Sequence, residues 1–494
     1  MAHRYRAPTA NGAVLAEPGF DAIPALVEAN RKLLDRDDVM VGDLPLRELR
    51  AQSRRDVLEL AWQYTRWEGD NQHHPKPSSD GPLLIAGHQP ELSHPGVWVK
   101  NFALNGLARK LDGIPLHLIV DNDTLKSTSL RFPVFQSGDP ASVRMESLAF
   151  DAFDGEVPYE DREIRDGTAF GRFLPAALAL SRNWGYRPLL ADAWQYVDPG
   201  SHLPLGEQFA RVRRRFEQEW GCRNRELPVS ELSDTWAFRE FASHILNDLP
   251  RFREVYNAAL CAYREANGIR SANHPAPDLS EGEAPFWVRT PNGRRERATP
   301  TSDVRILRPR ALTLTLFARV CLGDFFIHGI GGGKYDEVTD AIIRDYFGIE
   351  PPAYQVLSAT LHLPLPGFAS TADDLTRAER RVRDLRWNPQ RHLSAERLAN
   401  PEVKALTEAQ AALATGEPPF GDHAARREWF RKLQRTTEAL RPFVAEQIPA
   451  AEVELARVRS EVDANAILQR RDYAWVLYPE ETLRTFLTQV MSNE

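Results

Sequence analysis

Residues 83–120 confine the fold most tightly. The apolar run LLIA is followed by a polar turn, GHQPELSHPG, then by VWVKNFALNGLARKL with helical spacing, then by a second apolar run, IPLHLIV. A strand, a helix and a strand in that order form a βαβ unit, which requires a parallel strand pair and a right-handed crossover. An α/β sheet therefore starts here. The pattern returns at 311–361, where ALTLTLFARVCL predicts a helix, DFFIHG a strand, IGGGK a loop, YDEVTDAIIRDYFG a helix and AYQVLSATL a strand.

A chain of 494 residues exceeds the roughly 250–300 residues at which single cores stop growing, so more than one packed unit is expected. The pattern divides it into an N-terminal helical segment (1–80), a first part of the sheet core (81–135), an inserted mixed α/β region (136–300), a second part of the core (301–370) and a C-terminal helical region (371–494). The polar stretch EGDNQHHPKPSSDG reads as a linker into the first strand. Within the insertion, helices are expected at 168–184, 203–220 and 235–267, the last capped by Ser233 or Asp234. The Asn-Gly pair in PFWVRTPNGRRERA predicts a hairpin. In the tail, Leu433, Leu440, Phe443 and Val444 form one apolar stripe, and Val453, Ala456, Val458 and Val462 another. Pro442 and Pro449 are expected to break the run. Helices of this kind pair with each other or with a second subunit.

Charge narrows the partners. The 62 Lys+Arg against 69 Asp+Glu give a net charge of −7, so no overall positive field exists to collect a phosphate backbone, and nucleic acid is not an expected partner. The basic runs at 211–215, 294–297 and 380–383 read as solvated faces. Three cysteines without close pairing give neither a disulfide framework nor a zinc site. No run reaches the roughly 18 apolar residues that span a bilayer, and no signal sequence is visible. A cytoplasmic protein without a membrane partner is the expectation.

Three constellations could carry chemistry. The first turn holds His88, Gln89, Glu91, His94, Lys100 and Asn101 at the start of a helix, whose free N–H groups and positive dipole end suit an anion. Its histidines suit proton exchange. The bland alternative is a capped helix with loop histidines. The second, DNDTLKSTS, places Asp121, Asn122, Asp123 and Lys126 at a strand end. The acids suit an amine or a metal, or simply turn the chain. The third, FFIHGIGGGKYDEVTD, offers His328, Gly329, Gly331, Gly332, Gly333, Lys334, Tyr335 and Asp336, with glycines that let backbone N–H groups approach an anion. Its spacing matches neither a Walker loop nor GxGxxG. No cofactor, metal motif or nucleophile triad is readable.

Taken together, GHQPELSHPGVWVKN, IVDND, the hairpin after FWV, LRPRAL and HGIGGGKYDEVTD resemble the bacillithiol-synthesis cysteine-adding enzyme family, over about 80–370, with the helical tail resembling it more loosely. That resemblance implies a Rossmann-like, nucleotidyltransferase-like parallel core, inserted connective segments and a C-terminal coiled coil that makes a homodimer. It implies an amide-forming ligase that joins cysteine to the amine of a glucosaminyl malate. A GQQ-type turn of the family corresponds to Gly87–Gln89, its acid-His-acid strand end to Asp121–Asp123, and its GPGE-like loop to Gly329–Lys334. Here His88 stands for a glutamine, Asn122 for the histidine, and Lys334 puts a cation where the family has an acid. A relative acting on a different, acidic small molecule is the expectation. A non-catalytic assembly protein and a nucleotidyltransferase are the alternatives.

Overall fold

The computed structural model describes residues 5–65 and 80–492. The expected linker at 68–81 lies almost wholly outside them. The chain forms two compact units, one of Met1–Phe132, Glu146–Pro364 and Arg471–Glu494, the other of Pro133–Met145 and Leu365–Arg470.

The first unit is built on a six-stranded sheet. Its strands are β1 (Val14–Glu17), β2 (Leu83–His88), β3 (Ile114–Ile119), β4 (Arg225–Pro228), β5 (Phe325–His328) and β6 (Tyr354–Ala359). They lie in the order β1-β6-β5-β2-β3-β4, all parallel except β1, which runs antiparallel to β6. The chain thus steps outward from β2 to β3 and β4, then returns to the other side of β2 for β5 and β6. Parallel strands are covered on both faces, and Leu83, Leu84, Ile85 and Ala86 are accordingly fully buried. Both expected βαβ units are present.

The sheet also recruits strands the sequence hid. β1 comes from the segment read as helical, and β4 from the segment read as an insertion. The helix expected at 235–267 is two helices, Trp236–Asn247 and Leu249–Asn267. Pro250 cannot donate inside a helix and instead opens the second one. The cap of the first is Thr235, whose side chain accepts from the Phe238 amide, and neither Ser233 nor Asp234. The helix expected at 311–322 changes to π-helical winding at Phe317–Leu322. Of the basic runs, 211–215 is no solvated face throughout: Arg213 and Arg214 are buried, paired with Glu217 and Glu226.

Two helices position the site. Helix α1 (Pro95–Lys110) follows β2, with His94 as its cap and Pro95 as its first residue. Helix α2 (Ile330–Phe347) follows β5. Its first turn is the glycine stretch expected to be a loop. Glycine disfavours a helix, but at Gly333 packing decides. A Cβ there would lie 2.3 Å from Val356 Cγ2 on β6, so the bare backbone lets α2 close on the sheet. Gly333→Ala is expected to cost about 1–3 kcal/mol by overpacking, more than the roughly 1 kcal/mol that alanine adds in helix propensity. Urea unfolding measures it, and a double variant with Val356→Ala should be no less stable than Val356→Ala alone.

The second unit is helical apart from the hairpin residues 133–145. Ala372–Trp387 packs on Gln447–Leu468 around Val382, Leu385, Val444 and Ala451, and Pro401–Thr415 packs on His423–Leu440. Pro442 sits in a 3-10 turn that separates two helices, and Pro449 in the first turn of the next, where its missing N–H costs nothing. The expected second stripe is split: Val458 is buried, whereas Val453 is 70% exposed. Among the described residues no helix is long and apolar enough to cross a membrane.

Candidate functional site

Chain order reverses between β2 and β5, and in open α/β sheets the crevice at the carboxyl ends of such strands is where ligands bind. A cavity of about 830 Å³ opens there. Both walls expected from sequence line it: His88, Gln89, His94 and Lys100 on one side, with Asn122 and Asp123, and His328, Gly329, Gly331, Gly332, Lys334 and Tyr335 on the other.

Six other singled-out residues lie off the cavity wall. Glu91 is partly exposed, 3.9 Å from His88 Nδ1, and lines a neighbouring hollow. Asn101 faces away, its side-chain amide donating to Glu217 at 2.7 Å. Asp121 is buried and takes hydrogen bonds from the Ser230 amide at 2.9 Å and from the Ser230 hydroxyl. Burial, helped by nearby Glu160, pushes its carboxyl up to about 7. Lys126 pairs with Glu156 at 2.7 Å in a more exposed position. Gly333 packs on Val356. Asp336 is buried, 2.5 Å from Arg319 and 2.7 Å from His328 Nε2.

Lys100 defines the floor. It projects from α1 with its ammonium 2.8 Å from the Gly87 carbonyl. The position a Cβ on Gly329 would take is 4.0 Å away, so the ammonium sits where β2, β5 and the starts of both helices meet. Burial lowers its pKa to about 8. Gly96, in the first turn of α1, approaches the Ala359 carbonyl so closely that a Cβ would stand 2.1 Å from it.

The two histidines of the first wall are uncharged at neutral pH. Burial, then Lys100, brings His88 down to about 3, and burial, then Arg471, brings His94 to about 4. Their partners fix opposite tautomers. His88 Nδ1 lies 3.1 Å from the Gln89 carbonyl, which only accepts, so the proton is on Nδ1 and Nε2 keeps a lone pair. His94 Nδ1 accepts from the Gly96 amide at 3.1 Å, so its proton is on Nε2. One ring offers an acceptor and the other a donor.

Asp123 is the one acidic side chain on the wall among the described residues. Burial opposes its charge, but hydrogen bonds from Gln89 (2.9 Å) and the Thr124 amide (2.8 Å), with Arg295 at 3.1 Å, outweigh it and hold its pKa below the ordinary value. Asn122 is buried, with Nδ2 donating to the Pro309 carbonyl at 2.8 Å and Oδ1 lacking a protein partner.

Sequence reasoning missed Arg6, Arg295, Arg310, Arg471, Trp287 and Ser358, all on the wall. Arg471 donates to Ser358 Oγ at 2.9 Å and to the Ala359 carbonyl at 2.8 Å. Arg310 lies 2.7 Å from Glu283. The hairpin that carries Trp287 and Arg295 was legible, but its inward side was not, and Arg471 gave no signal at all. No protein-family model and no curated protein matches the chain.

Proposed function

We propose that the chain is an enzyme with a Rossmann-like, nucleotidyltransferase-like core that modifies a small anionic metabolite in this cleft. We place it beside the bacillithiol-synthesis cysteine-adding enzymes, with amide-forming or related group transfer as its reaction class and a different acidic substrate. The observation that carries the reading is Lys100, an ammonium buried at the reversal of the sheet between two helix N-termini. Burying a cation without an acidic partner is costly, and an anion there would restore the balance. Lys334 and the free N–H groups opening α2 add donors for the same charge. His94 Nε2–H suits an oxygen that gains negative charge, and His88 Nε2 suits the proton of an attacking group.

A thermal-shift series with phosphates, carboxylates, amino acids and sugar acids tests this. A ligand at 100 times its dissociation constant adds about 2.7 kcal/mol of stability. His88→Ala and Lys334→Ala are each expected to weaken the best anion by roughly tenfold, about 1.4 kcal/mol, while the free variants keep their unfolding midpoints. No anion response in the whole series, or full affinity in both variants, removes the proposal.

A further inference from the structure

The cavity is larger, and much more apolar, than an anion alone requires. Sites that enclose drug-sized ligands span roughly 300–1,000 Å³, and this one has about 830 Å³. Charge lies around Lys100 and again beside Trp287, where Asp123, Arg295 and Arg310 stand. An apolar stretch of the wall comes from Pro275 and Pro277, from Trp287 on the hairpin, from Leu312 and Leu314 on the helix Ala311–Leu316, and from Tyr335 in the second turn of α2. These are flat rings and short branched chains drawn from four separate elements. Trp287 is held in place by cations: the guanidiniums of Arg295 and Arg310 lie 4.6 and 4.3 Å from its ring centroid. Arg295 and Arg310 are in turn paired with Asp123 and Glu283. A preset aromatic wall beside a buried ammonium matches a ligand with two unlike ends.

Resting on the anion-site reading above, we infer that the substrate is an amphiphilic anion: a phosphate or carboxylate that docks at Lys100 and carries a flat apolar, ring-sized body against Trp287. A sugar acid or a bare amino acid would leave that wall wet.

The test compares matched anions by calorimetry on the full chain: inorganic phosphate, phenyl phosphate and glucose 6-phosphate, with acetate, phenylacetate and gluconate as the carboxylate series. The aromatic member of at least one series is expected to bind ten times more tightly, or better, than both of its companions. Trp287→Ala should erase that preference without changing the affinity of the simple anion, and Trp287→Phe should retain it. Equal affinities within both series, or a preference for the hydroxylated member, overturns the inference and leaves the anion site standing. No binding of any of the six removes the anion site itself. The wild-type comparison decides the matter even if Trp287→Ala does not fold.

Discussion

Lys100→Met is expected to make the protein more stable and to destroy its ligand binding. The pKa of this lysine falls from 10.5 to about 8 through burial, and at about 1.36 kcal/mol per unit the charged form costs the fold about 3 kcal/mol. Methionine fills a similar volume without charge. It gives up the hydrogen bond to Gly87, a loss of about 1 kcal/mol, so a net gain of about 2 kcal/mol in urea unfolding at pH 7 is expected. The sign of the pH dependence follows from the lowered pKa. Between about 8 and 10.5 the unfolded chain holds more protons than the folded one, so wild-type stability rises across that window. The advantage of the methionine variant is complete below pH 8 and fades by about 10.5. Anion affinity runs the other way: wild-type binding should weaken as pH rises through 8, and Lys100→Met should lose at least about 100-fold, some 2.7 kcal/mol, below pH 8, a deficit that shrinks as the wild-type ammonium loses its proton. A variant that gains stability and loses binding marks a residue kept for function at the expense of the fold. A variant that loses both would make Lys100 a structural residue.

How much of this was legible depends on what each residue reports locally. β3, β5 and β6 lie within the runs expected of them, and β2 extends its run LLIA by Gly87 and His88, which were read as turn; buried parallel strands need apolar side chains on both faces. β4 was hidden because its four residues, RELP, include a glutamate whose burial is made possible by Arg213 on the preceding helix. A charged residue in so short a run gives no strand pattern. The same division runs through the site. The stretches 88–100 and 329–334 announce themselves, since each carries the chain from a strand into a helix. Arg295, Arg310 and Arg471 do not: Arg295 belongs to the run 294–297 read as a solvated face, and in a chain with 62 lysines and arginines neither Arg310 nor Arg471 stands out from the surface arginines. The glycine stretch was misread for a thermodynamic reason: low helix propensity argues for a loop, and only the contact of Gly333 with Val356 reverses that.

The largest loss of stability is expected from Arg319→Met. Arg319 is buried in the π-helical turn, 2.5 Å from Asp336 and 2.7 Å from Asp340. It also donates to the Pro352 carbonyl, and its guanidinium lies 4.7 Å from the centre of the Tyr354 ring. One cation therefore joins the start of α2 to the segment entering β6. For Asp336, burial alone would raise the pKa, yet Arg319 and then His328 outweigh it and hold the carboxyl below its usual value. Removing the guanidinium leaves two carboxylates inside the protein facing each other, and breaking a buried ionic network in this way costs about 3–5 kcal/mol. Acid should narrow the deficit. A group with a depressed folded pKa stabilises above its unfolded value and loses that contribution as pH falls, so the wild type weakens towards pH 3. The variant is relieved over the same range, since protonation removes the unpaired charge. Adding Asp336→Asn to Arg319→Met should therefore recover stability at pH 7, with a double loss smaller than the sum of the single ones. His328 supplies the link to function. Its Nε2 lies 2.7 Å from Asp336 and its ring lines the cavity, so Asp336→Asn on its own should change the imidazole's tautomer, visible in nitrogen chemical shifts, while Lys100 remains in place. An unchanged tautomer would mean that the ionic network holds α2 to the sheet without orienting the ring that faces the ligand.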